Sequence, residues 1–112
     1  KNVFFFSINN PTEGYLIARK IIDEYEILSL ATDKDKRGKG VGVMLLNKLI
    51  NKINKKQIKR IILEVSLKNS IAIRMYKKLG FKIVGKRINY YNNGSELTDA
   101  YVMEKKLTKH VE

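Results

Sequence analysis

From Tyr25 to Ser66 the chain runs through an apolar strand pattern, a charged glycine-rich turn, an amphipathic helix pattern and a second apolar strand. That order leaves few folds open. "YEILSLAT" alternates and then turns fully apolar, and "RIILEVS" is a continuous apolar run interrupted only by Glu64. Both read as strands, the second as one covered on both faces. Between them Val41, Leu45, Leu49 and Ile53 recur at four-residue spacing with Leu46 and Ile50 alongside, while Lys48, Asn51, Lys52 and Lys55 take the opposite side. This is the pattern of a helix with one buried face. Two strands joined by a crossover helix pair in parallel, with a right-handed connection, inside one sheet.

The flanking segments add antiparallel partners. "NVFFFSI" and "GYLIARKII", separated by "NNPTEG", predict a hairpin, and a second hairpin step follows at Asp23 and Glu24. After the second strand of the crossover, Asn69 is placed to cap a helix whose stripe is Ile71, Met75 and Leu79, with Ala72 and Tyr76 beside it and Gly80 at its end. "FKIVGKRINYY" and "TDAYVMEKKL" flank "NNGSEL", a third hairpin. The predicted order is β-β-β-α-β-α-β-β, an α/β (α+β) class with a mixed sheet. A chain of 112 residues with 44% hydrophobic content supports one modest core, hence a single domain over 1–112. It opens at Lys1 on what reads as a strand entered mid-fold, so the domain is expected to be N-terminally incomplete.

Composition narrows the chemistry. With no cysteine there is no disulfide, thiolate metal site or Cys nucleophile, and no metal site is expected. No apolar run reaches the roughly 18 residues of a bilayer span and no signal-peptide order is present, so no membrane role is expected; the lack of cysteine fits a cytoplasmic setting. The net charge of +12 admits polyanionic partners, or equally reflects a chain biased toward Lys, Ile and Asn, which make up 42 of its 112 residues. It is concentrated around the turn, since Asp33 to Arg60 holds ten Lys or Arg against two Asp.

The turn itself, "RGKGVG" (Arg37 to Gly42), follows a strand and opens a helix. That arrangement brings backbone N–H groups and the positive end of a helix onto an anion, and glycines let phosphate oxygens come close. A dinucleotide fingerprint fails on its third glycine, and a P-loop fails because the fifth residue after Gly38 is Val43. What remains is R-x-x-G-x-G, compatible either with phosphate binding or with a plain tight loop.

With "ATDKDKRGKGVGVMLL" and "LEVSLKNSIAIRMYKKLGF" both in place, the chain resembles the GNAT superfamily of acyl-CoA-dependent N-acetyltransferases over nearly its whole length. L-E-V, an Asn five residues after the Glu, Y-x-K-L-G-F and a later R-x-x-Y-Y (Arg87, Tyr90, Tyr91) before D-A-Y-V-M are similar to the RimI-like protein N-terminal acetyltransferases, which modify ribosomal-protein alanine. Lys34 and Lys36 stand where the family often has Pro and an aromatic, and Thr98 stands where a Glu usually precedes the D-A pair. The resemblance also implies an early strand and two helices, for which roughly 30 to 45 further residues would be needed upstream.

The resemblance implies acetyl-CoA as cosubstrate and coenzyme A as product. Its diphosphate would sit on Arg37, Gly38, Lys39, Gly40, Val41 and Gly42, with main-chain groups of Leu30 and Thr32 on the pantetheine and acetyl carbonyl, and Asn69 near the cofactor. Direct attack by an amine on a thioester needs a neutral amine, oxyanion stabilisation and a proton for the leaving thiolate. An α-amino group titrates at about 7.7 to 8.0, so a carboxylate acting through water suffices as base. Glu64, alone in an apolar strand, fits that role or pairs with a neighbour such as Arg60. Tyr76, twelve residues on, resembles the family's general acid or is simply a core aromatic. Tyr90 and Tyr91 would contact the acceptor peptide or brace the hairpin; being adjacent in a strand, they point to opposite faces. His110, the only histidine, lies in a polar tail with no evident role.

The expected activity is acetyl transfer to a protein N-terminal amine, with a ribosomal protein as one candidate acceptor. The rivals are a GNAT acting on a small-molecule amine and a basic nucleic-acid-binding module. Nucleic acid is otherwise expected only as a weak, non-specific contact. The sequence does not specify the oligomeric state.

Overall fold

The computed structural model describes residues 2–8, 13–33, 37–93 and 96–107, without the side chains of 91–93 and 96. Lys34, Lys36, His110 and most of the first hairpin turn lie outside the described residues, as does the Tyr91 side chain. The elements follow the predicted order: β1 (Val3–Ile8), β2 (Gly14–Ile21), β3 (Glu24–Thr32), α1 (Val41–Lys52), β4 (Arg60–Ser66), α2 (Ser70–Lys78), β5 (Lys82–Asn93) and β6 (Glu96–Lys106). They form one six-stranded sheet in the order β1-β2-β3-β4-β6-β5. Only β3 and β4 are parallel, as the crossover requires; the other neighbours are antiparallel.

One face of the sheet carries the core. Leu16 and Ala18 of β2, Tyr25 and Ile27 of β3, Ile61, Leu63 and Val65 of β4 and Met103 of β6 pack against Val41, Leu45, Leu46 and Leu49 of α1 and against Tyr76 and Phe81. The period-two alternation of these residues puts them all on one side. The four-residue spacing in α1 buries the stripe read from the sequence.

Two expectations need correction. β4 is not covered on both faces: Ile61, Leu63 and Val65 are buried while Ile62, Glu64 and Ser66 are only half-buried, because both helices contribute to the core on the same side. In α2 the buried residue is Tyr76, with Ala72, Ile73, Met75 and Leu79 packed partly against the core, and Ile71 is 78% exposed. A helix this short has room for one narrow stripe, and the large ring of Tyr76 sets which way it faces.

The opposite face of the sheet carries paired charges. Arg19 bonds Glu26 at 2.6 Å, Arg60 bridges Glu24 and Glu104, and Arg87 donates to Glu64 at 2.6 Å. Phe5 stacks on Tyr15 at the β1 end, with ring centroids 6.0 Å apart.

Candidate active site

The site is built around a wedge between the two parallel strands. β3 and β4 pair only over Glu24–Glu26 and Arg60–Ile62, although β3 runs on to Thr32 and β4 to Ser66. The cause is local. β2 pairs Ile17 with Ser29 but Ala18 with Ile27, so Leu28 is an extra residue on β3. A bulge of this kind bends its strand and increases its twist. Beyond Leu28, β3 stays with β2 as far as the Gly14–Thr32 pair, while β4 stays with β6 as far as Ser66–Ala100. Among the described residues the edge of Leu28–Thr32 that faces β4 has no strand partner, and apart from Thr32 O, which faces Arg37, its main-chain groups are available to a ligand. Leu30 and Thr32 both lie on it.

The glycine turn follows directly. Gly38 and Gly40 adopt φ of 79° and 81°, the left-handed region that glycine alone enters at no steric cost. A Cβ on either would meet nothing within 4 Å, so the space beside them is open. Gly40 caps α1 without a side-chain hydrogen bond, and the first turn of the helix holds no acid. Met44 N–H reaches Gly40 O at 3.0 Å, which leaves the N–H groups of the preceding residues without an intrahelical acceptor. Arg37 Nε lies 3.4 Å from Thr32 O, so that side chain leans back toward the strand end. Lys39 is exposed. The turn fits an anion: free helix-terminal donors, a positive helix end, two basic side chains and no acid in the first turn of α1. Gly42 serves a different purpose from the other two glycines. It is helical, and a Cβ there would come within 3.0 Å of Met75 Sδ, so its bareness lets α1 approach α2. Val41, expected at the turn, contributes its main chain there while its side chain is buried in the core.

Glu64 sits on β4 two residues beyond the last parallel pair, opposite Val102 of β6. Its side chain is 19% exposed, and Oε2 accepts from Arg87 Nη1. The partner is Arg87 rather than the Arg60 suggested by sequence proximity. Four strand residues span about 13 Å, too far for the two to meet, and Arg60 is taken by Glu24 and Glu104. The guanidinium of Arg87 also lies 4.5 Å from the centroid of the Tyr90 ring. Glu64 holds the Arg87 pKa above its ordinary value through this hydrogen bond.

A second bulge positions Tyr90. β5 and β6 pair at Arg87–Ala100 and again at Tyr91–Thr98, so Ile88, Asn89 and Tyr90 stand against Asp99 alone. Asn89 has φ 54°, and its N–H donates to Asp99 Oδ1 at 2.8 Å, pinning the irregular segment. The bulge turns Tyr90 toward Arg87, while the Tyr91 main chain stays in the ladder.

Two further expected residues have structural partners of their own. Tyr76 belongs to the helix side, 5% exposed, with its ring edge-on to Phe81 at 5.4 Å between centroids. Asn69 caps α2 through Oδ1, which accepts from Ala72 N–H at 3.2 Å, and that accounts for it structurally. Among the described residues no cluster of His, Asp or Glu could hold a metal ion, and no helix is long and apolar enough to cross a membrane. The residue missed by inspection is Arg87 as the partner of Glu64; its place in R-x-x-Y-Y was the available signal.

A mixed sheet opened between parallel strands, with an anion-accepting helix entrance on one side and a paired carboxylate on the other, defines an acyltransferase-type domain. Residues 7–81 match the Acetyltransferase (GNAT) family, and the chain belongs to it. Among sequences it is similar to the [ribosomal protein bS18]-alanine N-acetyltransferase of Escherichia coli (strain K12), 32% identical over 100 residues that make up 89% of this chain and 68% of that one. Among solved structures, the ribosomal-protein-S18-alanine N-acetyltransferase from Escherichia coli superposes with a TM-score of 0.89 at 29% identity, covering 100% of this chain and 74% of that one. A GNAT family acetyltransferase from Elizabethkingia anophelis with acetyl-CoA bound shares the fold, with a TM-score of 0.77 at 23% identity over 93% of this chain and 74% of its own.

Proposed function

We propose that this chain transfers the acetyl group of acetyl-CoA to the α-amino group of a protein N-terminus, with a ribosomal protein as acceptor and the cytoplasm as its setting. The observation that carries the reading is the wedge between β3 and β4, which has the open glycine turn at its mouth and Glu64 on its β4 wall. The acceptor class is supported by the Escherichia coli relative, named for alanine in ribosomal protein bS18.

Acetyl-CoA, when bound, supplies an activated acetyl thioester. Main-chain N–H groups from Gly38 to Gly42, with Arg37 and Lys39, hold its diphosphate. The partnerless edge of β3 at Leu30 and Thr32 takes the pantetheine arm as an added strand would be taken, and aligns the acetyl carbonyl. Asn69, besides capping α2, contacts the cofactor. Glu64 accepts, through water, the proton of the incoming α-ammonium, whose pKa of about 7.7 to 8.0 makes that transfer easy near neutrality. The amine then attacks directly, with no covalent enzyme adduct. Tyr90, and Tyr91 by its place in the same segment, line the approach of the acceptor peptide. Tyr76, anchored by Phe81, donates its phenolic proton to the departing sulfur.

The test is mass measurement of the full-length protein's products, using acetyl-CoA with short Ala- or Ser-starting peptides alongside a panel of polyamines and aminoglycosides. Peptide acetylation at the α-amine supports the reading, and exclusive use of small amines overturns the acceptor class. Glu64→Gln should retain acetyl-CoA binding and lose about 10²- to 10⁴-fold in kcat, the usual contribution of a general base. Full rate in that variant from pH 6 to pH 9 would remove Glu64 from the mechanism.

A further inference from the structure

Charge is divided unevenly over this molecule. From Val41 to Ser95, a stretch that holds both helices together with β4 and β5, the chain has thirteen Lys or Arg and a single acid, Glu64, although it has 11 acids in all. Glu64 points away from the helices and is matched by Arg87. The sheet's open face is neutralised pair by pair, by Arg19–Glu26, Arg60 with Glu24 and Glu104, and Arg87–Glu64. Among the described residues, Lys48 and Lys52 of α1 and Lys77 and Lys78 of α2 have no acidic partner within salt-bridge distance. A lysine-rich composition alone would not exclude acids from half of the chain while leaving them elsewhere.

The excess is focused in one concavity. The C-terminal ends of α1, α2 and β6 enclose an open groove of about 510 Å³ whose lining includes Lys55, Lys78, Lys105 and Lys106. Lys105 Nζ donates to Leu79 O at 2.8 Å, which satisfies a carbonyl at the α2 terminus. Among the described residues Lys55, Lys78 and Lys106 have no acidic partner within salt-bridge distance. Helix dipoles account for a cation at the end of α2. They do not account for Lys55 and Lys106, which come from a loop and a strand. Low-dielectric walls around convergent like charges raise the local potential and draw in polyanions.

We propose that this groove docks the phosphodiester backbone of double-helical RNA, so that the enzyme is held on an RNA-rich particle while its active site, at the other end of α1, works on a protein terminus. The lining has no aromatic platform for unstacked bases, which disfavours a single strand. It has no exposed large apolar side chain to enter acyl chains, and it is concave, which disfavours a lipid surface. Only the choice of RNA as the source of the phosphates rests on the ribosomal-protein reading above; the basic groove itself stands without it.

The experiment measures binding of a fluorescein-labelled 20-base-pair RNA duplex to the full-length protein by anisotropy, from 0.05 to 0.4 M KCl, without acetyl-CoA. The Lys55→Gln/Lys78→Gln/Lys106→Gln variant should reduce the slope of log K against log salt by about 2 to 3, given roughly 0.9 per phosphate contact, and weaken binding at 0.1 M salt at least about tenfold. A charge-matched Lys20→Gln/Lys59→Gln/Lys86→Gln variant, altered outside the groove, should change the slope by less than about 1. Acetylation of a free peptide should be the same in wild type and groove variant. Equal weakening by the two variants, or displacement of the RNA by coenzyme A, overturns the proposal. So does groove-dependent binding to anionic vesicles (phosphatidylcholine with phosphatidylglycerol) in place of RNA, while a DNA duplex held more tightly than RNA overturns the choice of source. Because RNA binding is read without turnover, a protein that binds RNA but acetylates nothing would sink the enzymatic reading alone.

Discussion

Gly40→Ala separates what the glycine turn does for folding from what it does for the cofactor. At φ 81° an alanine costs about 1 to 2 kcal/mol of backbone strain, because its Cβ crowds the following carbonyl. Nothing within 4 Å adds a clash. For a domain of this size that is a fall in Tm of roughly 4 to 10 °C. Gly80 provides the matched control. It ends α2 at φ 97°, and a Cβ there would meet only the flexible end of Lys105, 2.7 Å away. Gly80→Ala should therefore destabilise by at least as much as Gly40→Ala. The two part company on ligand binding. A methyl on Gly40 fills the space in which a diphosphate oxygen would approach the main chain. One lost charge-assisted hydrogen bond, about 1.5 to 3 kcal/mol, weakens coenzyme A roughly 10- to 100-fold. Calorimetric melts and coenzyme A titrations on both variants, below either Tm, supply the comparison. If Gly40→Ala binds coenzyme A within about threefold of Gly80→Ala, the open space beside the turn is not the diphosphate site.

Arg87 gives a second test, since it holds the Glu64 carboxylate from β5. Arg87→Met should lower kcat about tenfold or more with KM for acetyl-CoA unchanged, and Arg87→Lys should recover only part of the loss, because an ammonium lacks the planar fork of a guanidinium; equal rates in all three proteins would leave Arg87 without a role in the reaction. The third concerns alkaline stability. Burial pushes the Tyr25 phenol above its ordinary value, so the unfolded chain ionises first, near pH 10; the stability tied to this group is whole below that pH and is lost as pH rises through the folded value. Thermal melts between pH 8 and pH 11 should fall more gently in Tyr25→Phe than in wild type, and identical slopes would refute the assignment.

The elements were legible in the sequence because local signals suffice for them: period two in the strands, four-residue spacing in α1, Asn69 and Gly80 bounding α2. The parallel β3–β4 pair followed from the crossover, and the glycine turn from its place between strand and helix. The wedge was not legible. It depends on Leu28 being one residue too many when β3 is laid against β2, a mismatch between strands that neither strand betrays alone. The same holds for Ile88 to Tyr90 against Asp99, and so for the place of Tyr90 over Arg87. Glu64 could be singled out as a carboxylate in an apolar strand. Its partner could not be chosen, because sequence proximity favoured Arg60, and strand geometry puts residues four apart beyond each other's reach. The exposure of Ile71 has the same kind of origin: helical periodicity defines several possible stripes, and packing of Tyr76 on Phe81 selects one.

The wedge also resolves an apparent conflict in the charges. An acyl-CoA is strongly anionic and an N-terminal ammonium is a cation, so a uniformly basic domain would attract one and repel the other. Here unpaired positive charge and mutually paired charges stand on different sides of the sheet. Arg37 and Lys39 stand at the turn, with no acid in the first turn of α1. Glu24, Glu26, Glu64 and Glu104 stand on the open face, each already matched by an arginine. Pairing keeps that face near neutral rather than positive, so an ammonium can approach Glu64 without crossing a field that opposes it. Where the strands part at Leu28, the two sides become continuous, and only there can groups drawn in by opposite charges meet. Closing the wedge, by removing the bulge and extending the β3–β4 ladder, would therefore end transfer even with every side chain of the turn and of β4 unchanged.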